Sequence, residues 1–181
     1  MPPALRSWFT PLVAADDRFV APNFDFGQFF FTRDTATRLV DALDGYRAPC
    51  CLCTPRLAFE WHQRGRAVTL LDIDRRFERL PGYRHFDLLT PEPIGDTFDA
   101  VICDPIFVPA AAVRRAIDVL TDRGDAALFL VFPIDRDAEL RQAFADRSLT
   151  RLPFPVHCCN IKPEYRGLVA LYGTEPLAVR S

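Results

Sequence analysis

The sequence predicts an α/β fold in which a mostly parallel sheet is covered by helices on both faces and ends in a C-terminal antiparallel hairpin. Short apolar runs alternate with stretches of helical periodicity, which is typical of parallel strands joined by helices. The last two apolar runs follow each other with no helix between them, which favours an antiparallel pair. The 181 residues, of which 49% are hydrophobic and 25% charged, are enough for the core of one domain.

The chain begins with a proline-rich segment and a helix. Residues 1–22 contain four prolines and are predicted to form an irregular arm, followed by a single domain over residues 23–181. A helix is predicted at residues 33–43, because Thr32 is a good N-cap and Asp34 lies in the first turn, where the helix dipole favours an acid.

The rest of the domain is predicted as five strands, the helices between them and the final hairpin. The strands are predicted at residues 49–53, 67–72, 83–88, 100–103 and 126–132. Helices are predicted at residues 56–64, 110–120 and 135–147, with Gly65 ending the first of them and Asp74 capping a further short helix. The two hairpin strands are predicted at residues 150–156 and 168–172.

Charge and hydropathy exclude several classes of protein. A formal net charge of -2 is not that of a strongly basic nucleic-acid binder, so any contact with nucleic acid must be local or shared with a partner. There is no run of about 18 apolar residues and no charged leader with a cleavable apolar stretch, so neither a membrane span nor a secretion signal is expected. We therefore expect a cytoplasmic protein.

The six cysteines are predicted to be buried, reduced thiols. None of them forms a C-x-x-C pair, and the three histidines do not complete a zinc-finger spacing. The cysteines therefore predict no metal site.

Acidic residues end two of the predicted strands, at the edge where an open parallel sheet binds ligands. Asp72, which closes the second strand, is placed to accept two ribose hydroxyls, and Asp87, after the third, can accept from the amino group of a cofactor adenine. Taken alone, each of these acids is more typical of a helix or turn cap, and capping is the better assignment for Asp74.

The tetrapeptide Asp104-Pro105-Ile106-Phe107 follows the fourth strand and combines groups that could bind an exocyclic amine. The lone pair of such a nitrogen is delocalised into the ring, so the nitrogen is a poor nucleophile. A carboxylate and the Pro105 carbonyl could accept its two hydrogens and free the lone pair, while Phe107 stacks on the base. The alternative is that Asp-Pro simply opens a turn.

The segment Gly27-Gln28-Phe29-Phe30-Phe31-Thr32 leads into the first helix. The free N–H groups at that helix start, together with the Thr32 hydroxyl, could hold the carboxylate of a cofactor. The alternative is that the phenylalanines are core residues and the threonine only caps the helix.

Four segments taken together resemble the adenine-N6 methyltransferases with class I, Rossmann-like folds. They are Gly27 to Thr32, Cys53-Thr54-Pro55-Arg56-Leu57, Leu70-Leu71-Asp72-Ile73-Asp74-Arg75-Arg76-Phe77, and Asp104 to Phe107. The similarity is strongest to the catalytic core of the ribosomal-RNA adenine-N6 methyltransferases that carry zinc-binding domains. The lysine methyltransferases of elongation factor 1A share the same pattern.

This resemblance implies S-adenosylmethionine as the methyl donor and gives a role to each matching position. Residues of the segment before the first helix, Gln28, Phe29, Phe31 and Thr32, match the lining of the methionine end of the cofactor. Thr54, Pro55 and Arg56 stand where most methyltransferases have a glycine-rich loop. Asp72 matches the ribose-binding acid, and Asp104 to Phe107 match the catalytic tetrapeptide. Ile73, Asp87 and Asp104 are also expected to contact the cofactor.

Two departures from the family pattern bear on activity. Ile106 replaces the second proline of the usual D-P-P-F, which loosens the loop and adds an N–H, although the Pro105 carbonyl is retained. The zinc modules are also absent, so RNA capture needs other residues. Lys162 and Arg166, in the segment between the two hairpin strands, are the expected substrate contacts. The alternative is that this segment is a solvated loop with ordinary charges.

Three functions remain open from the sequence. The first is an adenine-N6 methyltransferase acting on RNA, including ribosomal RNA, which basic residues such as Lys162 and Arg166 around the site would favour. The second is a protein lysine methyltransferase, which an acidic or narrow channel would favour. The third is a cofactor-binding but inactive partner subunit, which Ile106 and the mild acidity would favour.

Overall fold

The computed structural model describes residues 19–122 and 124–177, so residues 1–18 of the predicted arm lie outside the described part. Its α-helices are α1 (Arg33–Ala42), α2 (Pro55–Gln63), α3 (Ala110–Thr121) and α4 (Asp137–Ala143). Its strands are β1 (Pro49–Leu52), β2 (Thr69–Asp72), β3 (Tyr83–His85), β4 (Ala100–Cys103), β5 (Ala127–Pro133), β6 (Thr150–Arg151) and β7 (Val169–Gly173). Short 3-10 helices are present at Phe24–Phe26, Arg75–Phe77, Ile134–Arg136 and Pro163–Leu168.

The strands form one seven-stranded sheet in the order β3-β2-β1-β4-β5-β7-β6. The first five strands are parallel, and β7 is antiparallel to both β5 and β6. The strand order reverses between β1 and β4, which is where an open α/β sheet forms its ligand crevice. The predicted α/β architecture is confirmed, including the antiparallel pair at the C-terminal end.

Two layers of helices cover the sheet. Helices α1 and α2 pack on one face, with Leu39 and Trp61 fully buried against it, and helices α3 and α4 pack on the other through residues such as Ile117 and Leu140. Because both faces are covered, the central strands β1, β4 and β5 are buried along their whole length rather than alternating. None of the helices in residues 19–122 and 124–177 is long and apolar enough to cross a membrane.

Local signals in the sequence place several element ends correctly. Thr32 caps α1 by accepting from the Thr35 amide, and Asp74 caps the 3-10 helix Arg75–Phe77 by accepting from the Arg76 amide. Gly65 follows α2 with φ +73°, as a C′ glycine does. Cys50, Cys51, Cys103 and Cys158 are buried free thiols, whereas Cys53 and Cys159 are only partly buried.

Besides small shifts elsewhere, such as β2 beginning at Thr69 rather than at residue 67, four elements differ from the prediction. β1 ends at Leu52, because Cys53 adopts a left-handed φ of +57°. β3 stops at His85, and Asp87 instead accepts bonds from Leu89 and Thr90 in a turn.

The other two differences lie near the C-terminal end. β6 is only two residues long, since Pro153 and Pro155 have no N–H to donate to a ladder. The second hairpin strand, β7, lies between β5 and β6, so the first hairpin strand, β6, forms the edge of the sheet. The predicted helix 135–147 is a 3-10 turn followed by the shorter α4.

Candidate active site

The register of the parallel strands aligns three residues at one edge of the sheet. β1 pairs with β2 and with β4 up to its last residue, Leu52. Cys53, Asp72 and Asp104 therefore lie side by side at the carboxyl edge, next to the point where the strand order reverses. This arrangement brings together the two acids that the sequence predicts for the cofactor and for the acceptor.

A cavity of about 260 Å³ opens at this edge. Most of the predicted site residues line it: Gln28, Phe29, Pro55, Asp72, Ile73, Asp87, Asp104, Pro105, Ile106 and Phe107. The remaining lining residues were not predicted: Asp25, Phe26, Gly27, Phe30, Cys53, Phe86, Leu88, Leu89 and Val108.

The rim of the cavity is apolar. The described residues include four large hydrophobic side chains that are exposed, and three of these, Phe26, Ile73 and Leu89, line the cavity. Exposed apolar groups that cluster around a concave site are typical of ligand binding.

Asp72 is a desolvated acid on the cavity wall. The residue is only 5% exposed, and one carboxylate oxygen accepts from the Asp74 amide at 2.8 Å. Burial raises the pKa of Asp72 to about 7, although the Asp74 amide and the nearby Arg76 guanidinium oppose the rise. The carboxylate has lone pairs that remain available for donors in the cavity.

Asp104 lies in a tight turn after β4. Its backbone carbonyl accepts from the Ile106 amide at 2.9 Å, and the Pro105 carbonyl accepts from the Val108 amide at 2.9 Å. The N–H that Ile106 adds is therefore used within the loop. Burial, and then the charge of Asp72, raises the pKa of the Asp104 carboxyl well above its usual range.

The ring of Phe107 is packed against residues that precede α1. The Phe107 and Phe29 ring centroids are 5.0 Å apart. Gly27 has a φ of +62°, and a Cβ added to it would lie 2.7 Å from the Phe107 ring. A glycine is needed at this position because of both the backbone conformation and the space.

A buried asparagine connects the segment before α1 to the segment before β7. Asn160, which is fully buried, donates to the Gln28 carbonyl at 2.8 Å and accepts from the Phe30 amide at 3.1 Å. Two backbone hydrogen bonds, donated by the amides of Cys159 and Thr32, also join the two segments. The segment before β7 is thus fixed beside the cavity-lining residues Gln28 to Phe30.

Gln28 and Asp74 hold the N-terminal segment over the turn after β2. The Gln28 amide donates to Asp74 at 2.8 Å, and its oxygen accepts from the Asn23 amide at 2.7 Å and from Arg76 at 3.0 Å. Arg76 also donates to the Ala21 carbonyl at 3.0 Å. Burial alone would raise the pKa of Asp74, but Arg76 and Gln28 hold it below its usual range.

Six predicted site residues do not line the cavity. Phe31 is a core residue, and the Thr32 hydroxyl accepts from the Thr35 amide. The Thr54 hydroxyl donates to the Ile102 carbonyl at 3.4 Å, and the Arg56 guanidinium lies 5.1 Å over the Phe19 ring.

The other two, Lys162 and Arg166, are in the segment that leads into β7. Because Val169, the first residue of β7, pairs with Pro133 at the end of β5, this segment reaches the same edge of the sheet as the cavity. The structure therefore places both cations on the side of the molecule where the cavity opens.

A single signal in the sequence could have identified some of the missed residues. Cys53, Phe86 and Leu88 directly follow or flank predicted strand ends, so the rule that selected Asp72 and Asp104 also applies to them. Asn160 has no such signal, because only its burial and its two distant partners mark it.

The sheet order and the acid at the end of β2 define the class: this is a class I methyltransferase, which uses S-adenosylmethionine. Two solved structures have a similar fold. Protein 1320 of Thermoplasma acidophilum is 18% identical, with 77% of this chain and 83% of that chain covered and a TM-score of 0.53. The ribosomal protein L11 methylase of Lactobacillus delbrueckii subsp. bulgaricus is 11% identical, with 81% and 80% covered and a TM-score of 0.51.

The family follows from the sequence itself. The chain belongs to the family described as probable N6-adenine methyltransferase, whose model matches residues 22–167. No curated protein matches the chain in sequence. The resemblance that the sequence motifs predict is confirmed at the level of the family, the fold and the cofactor.

Proposed function

We propose that this methyltransferase methylates the N6 amine of adenine in RNA. The observation that carries the proposal is that one cavity is lined both by Asp72, the buried acid at the end of β2, and by the Asp104 to Phe107 loop with its aromatic ring. The family described as probable N6-adenine methyltransferase supports the same acceptor.

The residues around Asp72 fit S-adenosylmethionine, which supplies an electrophilic methyl group when bound. The Asp72 carboxylate can accept the two ribose hydroxyls. Ile73 and Leu89, exposed at the rim, offer apolar surface to a flat base, with Asp87 close by as an acceptor for its amino group. Asp25 adds a fourth acidic side chain to the wall, and the ionised members of this set favour a ligand that carries a sulfonium and an ammonium group.

Asp104 and Pro105 fit an amine that is to be methylated. The Asp104 carboxylate can accept one N6 hydrogen, and the Pro105 carbonyl, which receives the Val108 amide on one lone pair, can accept the other. The Phe107 ring, supported by Phe29 and Gly27, can stack on an extruded base.

Asp104 also fits the role of proton acceptor. Methyl transfer breaks the bond from sulfur to the methyl carbon and forms the bond to nitrogen, so the nitrogen must release one proton. In its ionised form, the Asp104 carboxylate, whose pKa is raised by burial, is a stronger base than an ordinary aspartate and can take that proton. Water can remove it afterwards, because the cavity opens to solvent.

The segment before β7 supports RNA as the source of the adenine. Lys162 and Arg166 lie in the segment before β7, whose residues Cys159 and Asn160 are bonded to the cavity-lining residues Phe30 and Gln28. Arg166 is exposed and Lys162 is partly exposed, so both can reach phosphates near an extruded base.

The test of the reaction is methyl transfer from labelled cofactor to total RNA and to total protein, each taken from cells that lack this gene. We expect label in the RNA, recovered as N6-methyladenosine after digestion, and none when Asp104→Ala is used. Label in RNA at another position, or no label in either fraction with folded, cofactor-binding enzyme, would contradict the proposal.

The test of RNA contact is the salt dependence of RNA binding in a double variant, Lys162→Ala with Arg166→Ala. We expect weaker binding and a slope of log K against log salt that is lower by about 2. The control is Arg47→Ala with Arg79→Ala, two exposed arginines that precede β1 and β3 and do not line the cavity. Equal slopes in the two double variants would remove the segment before β7 from RNA recognition.

One observation favours a second acceptor, the side chain of a protein lysine. Asp25, Asp72, Asp87 and Asp104 line the cavity, and no lysine or arginine among residues 19–122 and 124–177 does so. A lysine ammonium would be attracted to this wall, whereas RNA phosphates would be repelled. Label in the protein fraction alone, in the experiment above, would support this acceptor.

A further inference from the structure

The loop after β4 is held by a guanidinium from the end of the neighbouring strand. Arg136, in the 3-10 helix that follows β5, donates to the Ile106 carbonyl at 3.1 Å and to the Val108 carbonyl at 3.0 Å. These two carbonyls flank Phe107 in sequence. One side chain therefore fixes the backbone on both sides of the ring proposed to stack on the base.

Arg136 is itself held in place on two sides. It makes two bonds of 2.8 Å to Glu139, and its guanidinium lies 4.7 Å from the centre of the Phe132 ring. Glu139 also accepts from the Ala110 amide at 2.7 Å, at the first residue of α3. The planar guanidinium of Arg136 is thus preorganised. The Arg136–Glu139 pair connects the loop after β4, the start of α3 and the end of β5.

Ile106 leaves the backbone of this loop less restricted than the family pattern does. At this position the family pattern has a proline, whose ring restricts the backbone, and this chain lacks that restriction. The amide bonds of Ile106 to Asp104 and of Val108 to Pro105 tie the loop only to itself. The guanidinium ties it to the sheet.

We infer that Arg136 is a positioning residue for methyl transfer, holding the Asp104 to Val108 loop in the conformation that presents the acceptor acid and the aromatic ring. The inference rests on the proposed function for its catalytic consequence. It predicts that loss of the guanidinium lowers turnover and loosens the loop, while cofactor binding at Asp72 is unchanged.

The test compares Arg136→Met with Arg141→Met. Arg141 is a matched control, because among the described residues its hydrogen bonds go to Asp137 within α4 and to the Leu149 carbonyl rather than to residues 104–108. For Arg136→Met we expect kcat to fall about 10- to 100-fold, an unchanged KM for S-adenosylmethionine, and faster hydrogen exchange confined to residues 104–108. Arg136→Lys should be intermediate, since one ammonium cannot reproduce the fork.

Two results would overturn the inference. The first is unchanged exchange of residues 104–108 in Arg136→Met. The second is a loss of kcat with a parallel change in cofactor KM and faster exchange throughout the chain, which would mean general destabilisation. If Arg136→Met does not fold, Arg136→Lys and Glu139→Gln are measured in the same way.

The exchange measurement needs no acceptor. A wild-type protein that methylates neither RNA nor protein would therefore contradict the proposed function, while the exchange pattern would still decide the role of Arg136.

Discussion

Affinity for S-adenosylmethionine should depend on pH through Asp72. The perturbation is a change from pH 6 to pH 8, applied to the wild type and to Asp72→Asn. The ionised carboxylate can accept both ribose hydroxyls, whereas a protonated carboxyl loses one acceptor oxygen to its own hydrogen. Cofactor binding should therefore favour the ionised form and strengthen as the pH rises.

The magnitude follows from the pKa of about 7 that burial produces at Asp72. A group with this pKa is about one-tenth ionised at pH 6 and about nine-tenths ionised at pH 8, so the affinity should rise close to tenfold, or about 1.4 kcal/mol. At pH 8, Asp72→Asn should bind the cofactor about 1.5–3 kcal/mol more weakly than the wild type, which is the scale of hydrogen bonds to a charged group.

The assay is isothermal titration calorimetry at both pH values. The amino group of the cofactor also titrates in this range, but it does so equally with both proteins, so the ratio of their affinities isolates Asp72. Asp104→Asn is a second control, because the pKa of Asp104 is raised as well. The reasoning is refuted if Asp72→Asn shows the same rise between pH 6 and pH 8 as the wild type.

Two other substitutions, and a stability measurement on Asp72→Asn, test the site and its support. Asp104→Ala should abolish methyl transfer and leave cofactor affinity nearly intact in calorimetry; substantial residual turnover would make Asp104 only a turn residue. Gly27→Ala should lower the free energy of unfolding in urea by about 1–3 kcal/mol, while Gly45→Ala, where an added Cβ meets nothing within 4 Å, should not. Because the folded pKa of Asp72 lies above its unfolded value, its ionisation destabilises the cofactor-free protein, and stability falls as the pH rises from about 4 to about 7. Asp72→Asn should therefore raise the Tm without cofactor more at pH 8 than at pH 4, and an equal shift at both would contradict this.

The sequence by itself determined the features that depend on near neighbours along the chain. The alternation of apolar runs and helical stretches predicts the order of the elements, because each element shows its own periodicity. Caps such as Thr32 and Asp74 are predictable since their partners lie two or three residues away. Asp72 and Asp104 are also predictable, because parallel strands bring their carboxyl ends to one edge.

Only the tertiary structure decided where long side chains with several possible partners point. Gln28 could have faced the cofactor site through its amide, yet that amide is bonded to Asp74, 46 positions away. Arg136 donates a hydrogen bond to a backbone carbonyl 30 positions away, and Asn160 donates to a backbone carbonyl 132 positions away. No periodicity encodes such pairs, since a flexible polar side chain takes its partner from whatever donors and acceptors the packed sheet and helices bring within reach.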